Sequence, residues 1–288
     1  MTNDISSVNL FRLMLIGDVV GQPGRKMIER SLPILKSELS LDIVVANAEN
    51  VAGGSGITPE LFDKLMSYGL DGITLGDHAY RCRDIFPILD KDPRVIRPGN
   101  YPAEAPGKES MILCTSNGVK IGVFSLLGRV FMPPVDCPFK AADRIIASFP
   151  DDVQAILLDF HAEATSDKQL MGRYLDGRVS AVLGTHTHVV TADETILPGG
   201  TAFQCDVGMT GPFESILGRR IDRVMETVRT FRPTMYDVAS NDIRLCGTVV
   251  EIDLATKRAA SIQRVVALRS DNEISVIASP PVASTVIP

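Results

Sequence analysis

Val179-Ser180-Ala181-Val182-Leu183-Gly184-Thr185-His186-Thr187-His188 joins an apolar run to two histidines spaced by one residue. A short apolar run reads as a strand buried on both faces, which places it inside a sheet covered by helices. The imidazoles then emerge at its carboxyl end, where open α/β sheets hold their ligands. Residues at i and i+2 share one face of an extended segment, and a tight turn lets both rings swing towards one point. Such a pair suits metal ligation.

The same theme recurs upstream. Residues 10–16 form an apolar run ending at Gly17-Asp18, followed by a Gly/Pro turn and a helical pattern over 23–39. Ile43-Val44-Val45-Ala46-Asn47 precedes Ala48-Glu49-Asn50, a glycine-rich loop at Gly53-Gly54-Ser55-Gly56, and a helix opened by Thr58-Pro59. Residues 72–75 precede Gly76-Asp77-His78, and residues 153–160 lead to His161 and a helix over 165–175. Asn117-Gly118 between 111–115 and 120–127 is a strong hairpin signal, so the sheets contain antiparallel pairs. A second hairpin is expected around Ala255-Thr256-Lys257, between 246–253 and 260–268. The expected organisation is α/β: a disordered segment over 1–9, one domain over 10–270, and a flexible tail over 271–288 rich in Pro, Ser and small residues.

Composition narrows the function. Of 288 residues, 45% are hydrophobic and 22% charged, which is ordinary globular usage that supports a sizeable core. A formal charge of -6 leaves no basic surplus for binding duplex nucleic acid. Cys82, Cys114, Cys137, Cys205 and Cys246 are scattered, odd in number and without a CxxC pair, and read as reduced thiols. With no apolar stretch of membrane-spanning length and no signal-like start, the expectation is a soluble cytoplasmic protein.

The polar residues at the strand ends are Asp18, Glu49, Asn50, Asp77, His78, His161, His186 and His188, which include all four histidines of the chain. Singly, each has a bland role: an Asp after Gly caps a helix or turn, and a lone histidine is usually just hydrogen-bonded. Gly17, Gly21 and Gly24 match neither a dinucleotide fingerprint nor a P-loop. Jointly, carboxylates, an amide and imidazoles make a donor set suited to iron, manganese or zinc rather than to calcium or a thiolate-bound zinc. There are more donors than one ion needs. Two ions about 3.5 to 4 Å apart use them all, clamp a phosphoryl displacement and generate hydroxide from water.

The order Gly17-Asp18, Asn47-Ala48-Glu49-Asn50, Gly76-Asp77-His78, Asp159-Phe160-His161-Ala162-Glu163-Ala164-Thr165 and Gly184-Thr185-His186-Thr187-His188 resembles the calcineurin-like metallophosphoesterase superfamily, specifically its YmdB-type branch of cyclic-nucleotide phosphodiesterases. Gly128-Arg129-Val130-Phe131-Met132, Asp136-Cys137-Pro138-Phe139 and Asp206-Val207-Gly208-Met209-Thr210-Gly211-Pro212 are further branch features. The resemblance spans residues 10–268 and implies a four-layer α/β/β/α sandwich with two mixed sheets. It also implies a two-metal centre, commonly iron, with manganese, magnesium or zinc as alternatives, and a homo-oligomer acting on small 2′,3′-cyclic nucleotides. Carried over by position, Asp18, Glu49, Asn50 and His188 hold one ion. Glu49 bridges, and Asp77, His161 and His186 hold the other. His78 is the implied general acid, standing clear of the ions, while a bridging hydroxide attacks phosphorus.

One position departs from the pattern. The family motif is Gly-Asn-His, and here it is Gly76-Asp77-His78. The extra carboxylate lowers the formal charge of the loaded centre by one, which strengthens metal binding but weakens the attraction for an anionic phosphate. This motivates an alternative, a non-catalytic regulatory or scaffold protein that retains a dinuclear centre. An amidohydrolase also uses an HxH pair, but after the first strand of a barrel, whereas His186 and His188 come late. Arg25 and Arg129 are candidate phosphate partners. Phe131 is a candidate contact for a substrate base, a neighbouring subunit or its own core.

Overall fold

The computed structural model describes residues 10–270 and 273–284, so the segment 1–9 lies outside the described residues, as do 271–272 and 285–288. In chain order the strands are β1 (Leu10–Ile16), β2 (Asp18–Val19), β3 (Ile43–Asn47), β4 (Gly72–Thr74), β5 (Val95–Ile96), β6 (Ser110–Cys114), β7 (Lys120–Leu127), β8 (Ala155–His161), β9 (Ala181–Thr185), β10 (Thr195–Ile196), β11 (Ala202–Gln204), β12 (Met209–Pro212), β13 (Ile243–Asp253), β14 (Arg258–Ser270), β15 (Glu273–Ala278) and β16 (Val282–Ala283). The helices are α1 (Gly21–Glu38), α2 (Pro59–Ser67), α3 (Phe86–Lys91), α4 (Pro138–Ser148), α5 (Thr165–Leu175) and α6 (Ile221–Thr230).

Two mixed sheets result. The first runs β15-β14-β13-β1-β3-β4-β5, and the second β10-β11-β9-β8-β7-β6. In the first, β1 is parallel to β3 and antiparallel to β13. In the second, β7, β8, β9 and β11 are parallel while β6 joins β7 as the hairpin that Asn117-Gly118 announces. Three apolar layers hold them together. Leu13, Leu15, Val45, Ile121, Val123, Leu157 and Leu183 pack between the sheets. Met27, Leu32, Phe62 and Leu65 of α1 and α2 cover the outer face of the first. Ala142, Ile145 and Met171 of α4 and α5 cover that of the second. This is the expected four-layer α/β/β/α sandwich. Each fully buried Leu, Ile or Val contributes about 1.5–3 kcal/mol, so the run at 179–183 is apolar on both faces because one side meets the other sheet and the other meets α5.

Local chemistry sets the helix starts. Pro23 lies in the first turn of α1, where its missing N–H breaks no helical bond. The Thr58 hydroxyl accepts from the Leu61 amide and caps α2. The carboxyl-terminal expectation needs correction. The flexible tail expected over 271–288 contains β15, paired antiparallel with β14, and β16, paired with the same strand. Glu273, Ile274, Ser275 and Val276 alternate polar and apolar as an edge strand does, a period masked by the Pro and Ser that follow. Among the described residues no helix is long and apolar enough to cross a membrane.

Candidate metal centre

Both sheets release their strands at one shared edge. Asp18 follows β1, Glu49 and Asn50 follow β3, Asp77 and His78 follow β4, His161 ends β8, and His186 and His188 follow β9. Asp18 is fully buried; its Oδ2 accepts the His186 amide at 3.0 Å and its Oδ1 lies 3.4 Å from Asn50 Nδ2. Glu49 Oε1 lies 3.0 Å from His78 Nδ1, 3.2 Å from Asn50 Nδ2 and 3.4 Å from His161 Nε2. Asp77 Oδ1 stands 3.1 Å from His161 Nε2 and 3.4 Å from His186 Nδ1, and the two ring nitrogens are 3.0 Å apart. His188 Nε2 sits 3.2 Å from Asn50 Nδ2 and 3.7 Å from Asp18 Oδ1. Three overlapping groups have spacing that suits a metal ion: Asp77, His161 and His186; Asp18, Glu49 and His161; Glu49, Asp77 and His78.

Backbone packing forces this convergence. A Cβ on Gly76 would come within 2.4 Å of both Glu49 Oε2 and His161 Nε2, so only glycine lets β4 pass behind the donors. The electrostatics follow from crowding. Burial pushes the Glu49 carboxyl up, but His161 and His78 outweigh it and hold it below the usual range. Asp77 is likewise lowered, against its burial, by His161 and His186. Burial opposes the charged form of His161, yet the carboxylates of Glu49 and Asp77 raise it well above an ordinary imidazole. Buried carboxylates packed against imidazole nitrogens are the donor arrangement that a cation site requires. The hard and intermediate donors present fit iron, manganese or zinc.

A surrounding layer aims these donors. Asp159, fully buried on β8, accepts from Thr185 Oγ1 at 2.6 Å, Thr74 Oγ1 at 2.6 Å and Asn47 Nδ2 at 3.2 Å. Its burial lifts it to about 6, so it is ionised at neutral pH and acts as an acceptor. The Thr185 proton is therefore spent on Asp159, and its lone pair receives the His161 Nδ1 proton at 2.8 Å. That fixes Nδ1 as a donor and leaves Nε2, which faces Glu49, Asp77 and His186, as the nitrogen a metal would take once its proton is displaced. His188 is set the same way, with Nδ1 donating to the Leu217 carbonyl at 3.1 Å.

The turn carrying both late histidines is strained, with φ of 98° at His186 and 64° at His188. Such conformations cost about 1–3 kcal/mol each and persist only where other bonds over-determine them. Asp206 supplies those bonds. Its Oδ2 accepts the Thr187 amide at 3.0 Å and the Thr187 hydroxyl at 2.8 Å, and its Oδ1 accepts the Gly208 amide at 2.8 Å. The buried Lys168 ammonium, 2.8 Å away, balances its charge.

The seven residues expected as ligands meet here. His78 lies beside them: its Nδ1 is 2.8 Å from Asn50 Oδ1 and 3.0 Å from Glu49 Oε1. Burial lowers its proton affinity, but Glu49 and Asp77 win and raise it. Arg25 instead donates through Nη1 to the Val51 carbonyl at 2.8 Å, tying α1 to the loop after Asn50. Arg129 and Phe131 are exposed, on a loop anchored by Asp167 through the Arg129 and Val130 amides. That loop leaves β7 beside the centre, since the Gly128 amide bonds the His161 carbonyl at 3.0 Å. Sequence reasoning missed Asp159, Thr185, Asp206 and Lys168. A charged residue inside the apolar run 155–160 was the available signal for Asp159.

Two stacked sheets between helices, with carboxylates and imidazoles from both meeting at their common carboxyl edge, define a metallophosphoesterase. The chain belongs to the YmdB-like protein family, whose model matches residues 14–265. It is 44% identical over 254 residues to the 2′,3′-cyclic-nucleotide 2′-phosphodiesterase of Bacillus subtilis, covering 88% of this chain and 96% of that protein. It is 33% identical to a putative phosphatase/phosphodiesterase of Mycoplasma genitalium, covering 88% of this chain and 92% of the relative. Among solved structures, a novel phosphatase from Mycoplasma pneumoniae superposes with a TM-score of 0.84 at 31% identity, covering 92% of this chain and 95% of the other. A hypothetical protein from Thermus thermophilus gives 0.83 at 36% identity, covering 94% of this chain and all (100%) of the other.

Proposed function

We propose that this chain is a cytoplasmic, homo-oligomeric, metal-dependent phosphodiesterase that hydrolyses small 2′,3′-cyclic nucleotides. The observation that carries the reading is the meeting of Asp18, Glu49, Asn50, Asp77, His161, His186 and His188 at one sheet edge. The activity named for the Bacillus subtilis relative supports the substrate class. In the proposed centre Asp18, Glu49, Asn50 and His188 would hold one ion, and Asp77, His161 and His186, together with Glu49, would hold the second. Two ions there, iron in the first instance, would polarise the phosphoryl oxygens and make a bound water acidic near neutral pH.

The chain's own groups do the rest. Hydrolysis adds one water across one P–O ester bond, so the departing ribose oxygen needs a proton. His78 supplies it: it lies beside Glu49 and Asp77, whose charges raise its proton affinity, as a general acid requires. Arg129 and Phe131, on the loop leaving β7, are proposed to meet the phosphate and the base.

The test is hydrolysis of 2′,3′-cyclic AMP and of bis(p-nitrophenyl) phosphate by protein whose metal content is measured by elemental analysis. Wild type is expected to turn over both, and His78→Ala to keep its metal while losing at least about a hundredfold in kcat. Metal-loaded wild type without turnover would leave the centre a structural or sensory device and sink the enzyme reading.

A further inference from the structure

No residue of helix α6 is fully buried: Arg223, Val224 and Thr227 are half-buried and the rest are exposed. Ile221, Val224, Met225 and Val228 recur at i, i+3, i+4 and i+7, the spacing of an apolar stripe made for packing. Yet Ile221, Met225 and Val228 are exposed, Val228 by 66%, and Leu217, Phe231 and Met235 extend the apolar face, Phe231 at 91% exposure. An isolated helix shorter than about 12 residues is marginal in water, so a ten-residue helix needs a surface to pack on.

The charges beside the stripe choose the surface. Asp222 and Arg229 lie two turns apart and therefore on one flank, equidistant from the midpoint between Met225 and Glu226. With Met225, Glu226 and Thr230 they line a groove of about 450 Å³. Packing a second α6 antiparallel about a twofold axis through that midpoint brings like flanks together. Asp222, which Arg220 of its own chain holds through two hydrogen bonds, then faces Arg229 of the other copy, twice per interface, so each carboxylate sits between two guanidinium groups. Val228 of each copy falls between Ile221 and Val224 of the other. An isologous contact requires this self-complementarity, whereas a foreign partner places no such condition on one helix.

We infer that the α6 face is where two copies of this chain join. The inference rests on the homo-oligomer reading and assigns its surface. One helix face of about 15 Å by 10 Å falls short of the ~800 Å² per copy of a stable dimer, so the flanking Leu217, Phe231 and Met235 belong to the contact. The joint also reaches the metal centre. The Leu217 carbonyl orients His188, and Arg219 bonds the carbonyls of Gly53, at 2.8 Å, and Tyr236, at 2.7 Å. Dimerisation would stiffen the loop that aims one metal ligand.

Sedimentation velocity of the full chain over a range of concentrations tests this, with circular dichroism and cyclic-nucleotide hydrolysis recorded on the same samples. Wild type is expected to be dimeric or a higher even oligomer. Val228→Glu, which places two carboxylates in the contact, should weaken association about a hundredfold or more with the fold retained. Asp222→Arg and Arg229→Asp should each weaken it, and the double exchange should restore it, because only a twofold antiparallel pair regains complementarity. A wild type that stays monomeric overturns the inference; co-flotation of that monomer with phosphatidylglycerol vesicles would assign the face to a membrane surface. An oligomer indifferent to Val228→Glu overturns it equally. Hydrolysis separates the two proposals: an inactive dimer defeats the enzyme reading alone, and an active monomer defeats this one alone.

Discussion

Replacing Thr185 by Val removes one hydroxyl that does two things at once. It donates to Asp159 at 2.6 Å and accepts from His161 Nδ1 at 2.8 Å, all three groups being fully buried. Asp159 keeps Thr74 and Asn47, both on Oδ2, so Oδ1 loses its donor. A buried hydrogen bond to a charged group is worth about 1.5–3 kcal/mol, and the stranded oxygen adds a penalty of similar size. The expected loss of stability is thus about 2–4 kcal/mol. His161 is then free to place its proton on Nε2, the atom that must be bare for a metal, and losses of 10–100-fold in affinity follow from such changes. Manganese titration by calorimetry, with urea unfolding of the metal-free protein, reads both quantities. Thr185→Ser keeps the hydroxyl and should recover metal affinity to within about threefold. Wild-type affinity in Thr185→Val, or failure of Ser to rescue, would refute the tautomer argument and leave Thr185 a packing residue.

The other expectations concern charge, space and protons. Asp77→Asn keeps an oxygen near His161 and His186 but restores the family's neutral ligand; metal should be retained and kcat preserved or raised, and a drop beyond about tenfold contradicts the charge argument. Gly76→Ala drives a methyl to within 2.4 Å of Glu49 Oε2 and His161 Nε2, and should abolish stoichiometric metal by elemental analysis. The same overpacking should cost about 1–3 kcal/mol of stability; full metal content in this variant would show that the strand has room to move. Because the Glu49 and Asp77 carboxylates raise His161 well above the ordinary imidazole, the metal-free protein holds that proton to higher pH than a free histidine does, and a metal must displace it. Affinity should therefore fall as pH drops and level off once pH exceeds the raised value. Calorimetry in buffers of differing ionisation heat should show proton release, and a pH-independent affinity from 6 to 9 would contradict it.

The chain by itself determined the alternation of apolar runs and helical stretches, and with it two layers of strands covered by helices. It also placed the candidate ligands, because a carboxylate or imidazole directly after a double-sided apolar run lands at a sheet edge whatever the details of packing. Local periodicity and turn chemistry are short-range, so Thr58-Pro59 and Asn117-Gly118 were legible as a helix start and a hairpin. Only the tertiary structure decided what lies between distant segments. Asp159 reads as one misplaced charge in a strand until Thr74 from the other sheet and Thr185 from the next strand close around it. Asp206 reads as a loop residue until it meets Thr187 and Lys168. The approach of His78 to Asn50 and Glu49 was equally hidden, because it depends on how the loops after the paired strands β3 and β4 fold against each other. The edge strands β15 and β16 were masked by Pro and Ser, since an edge needs only one good pairing partner and that partner, β14, supplies the order their composition lacks.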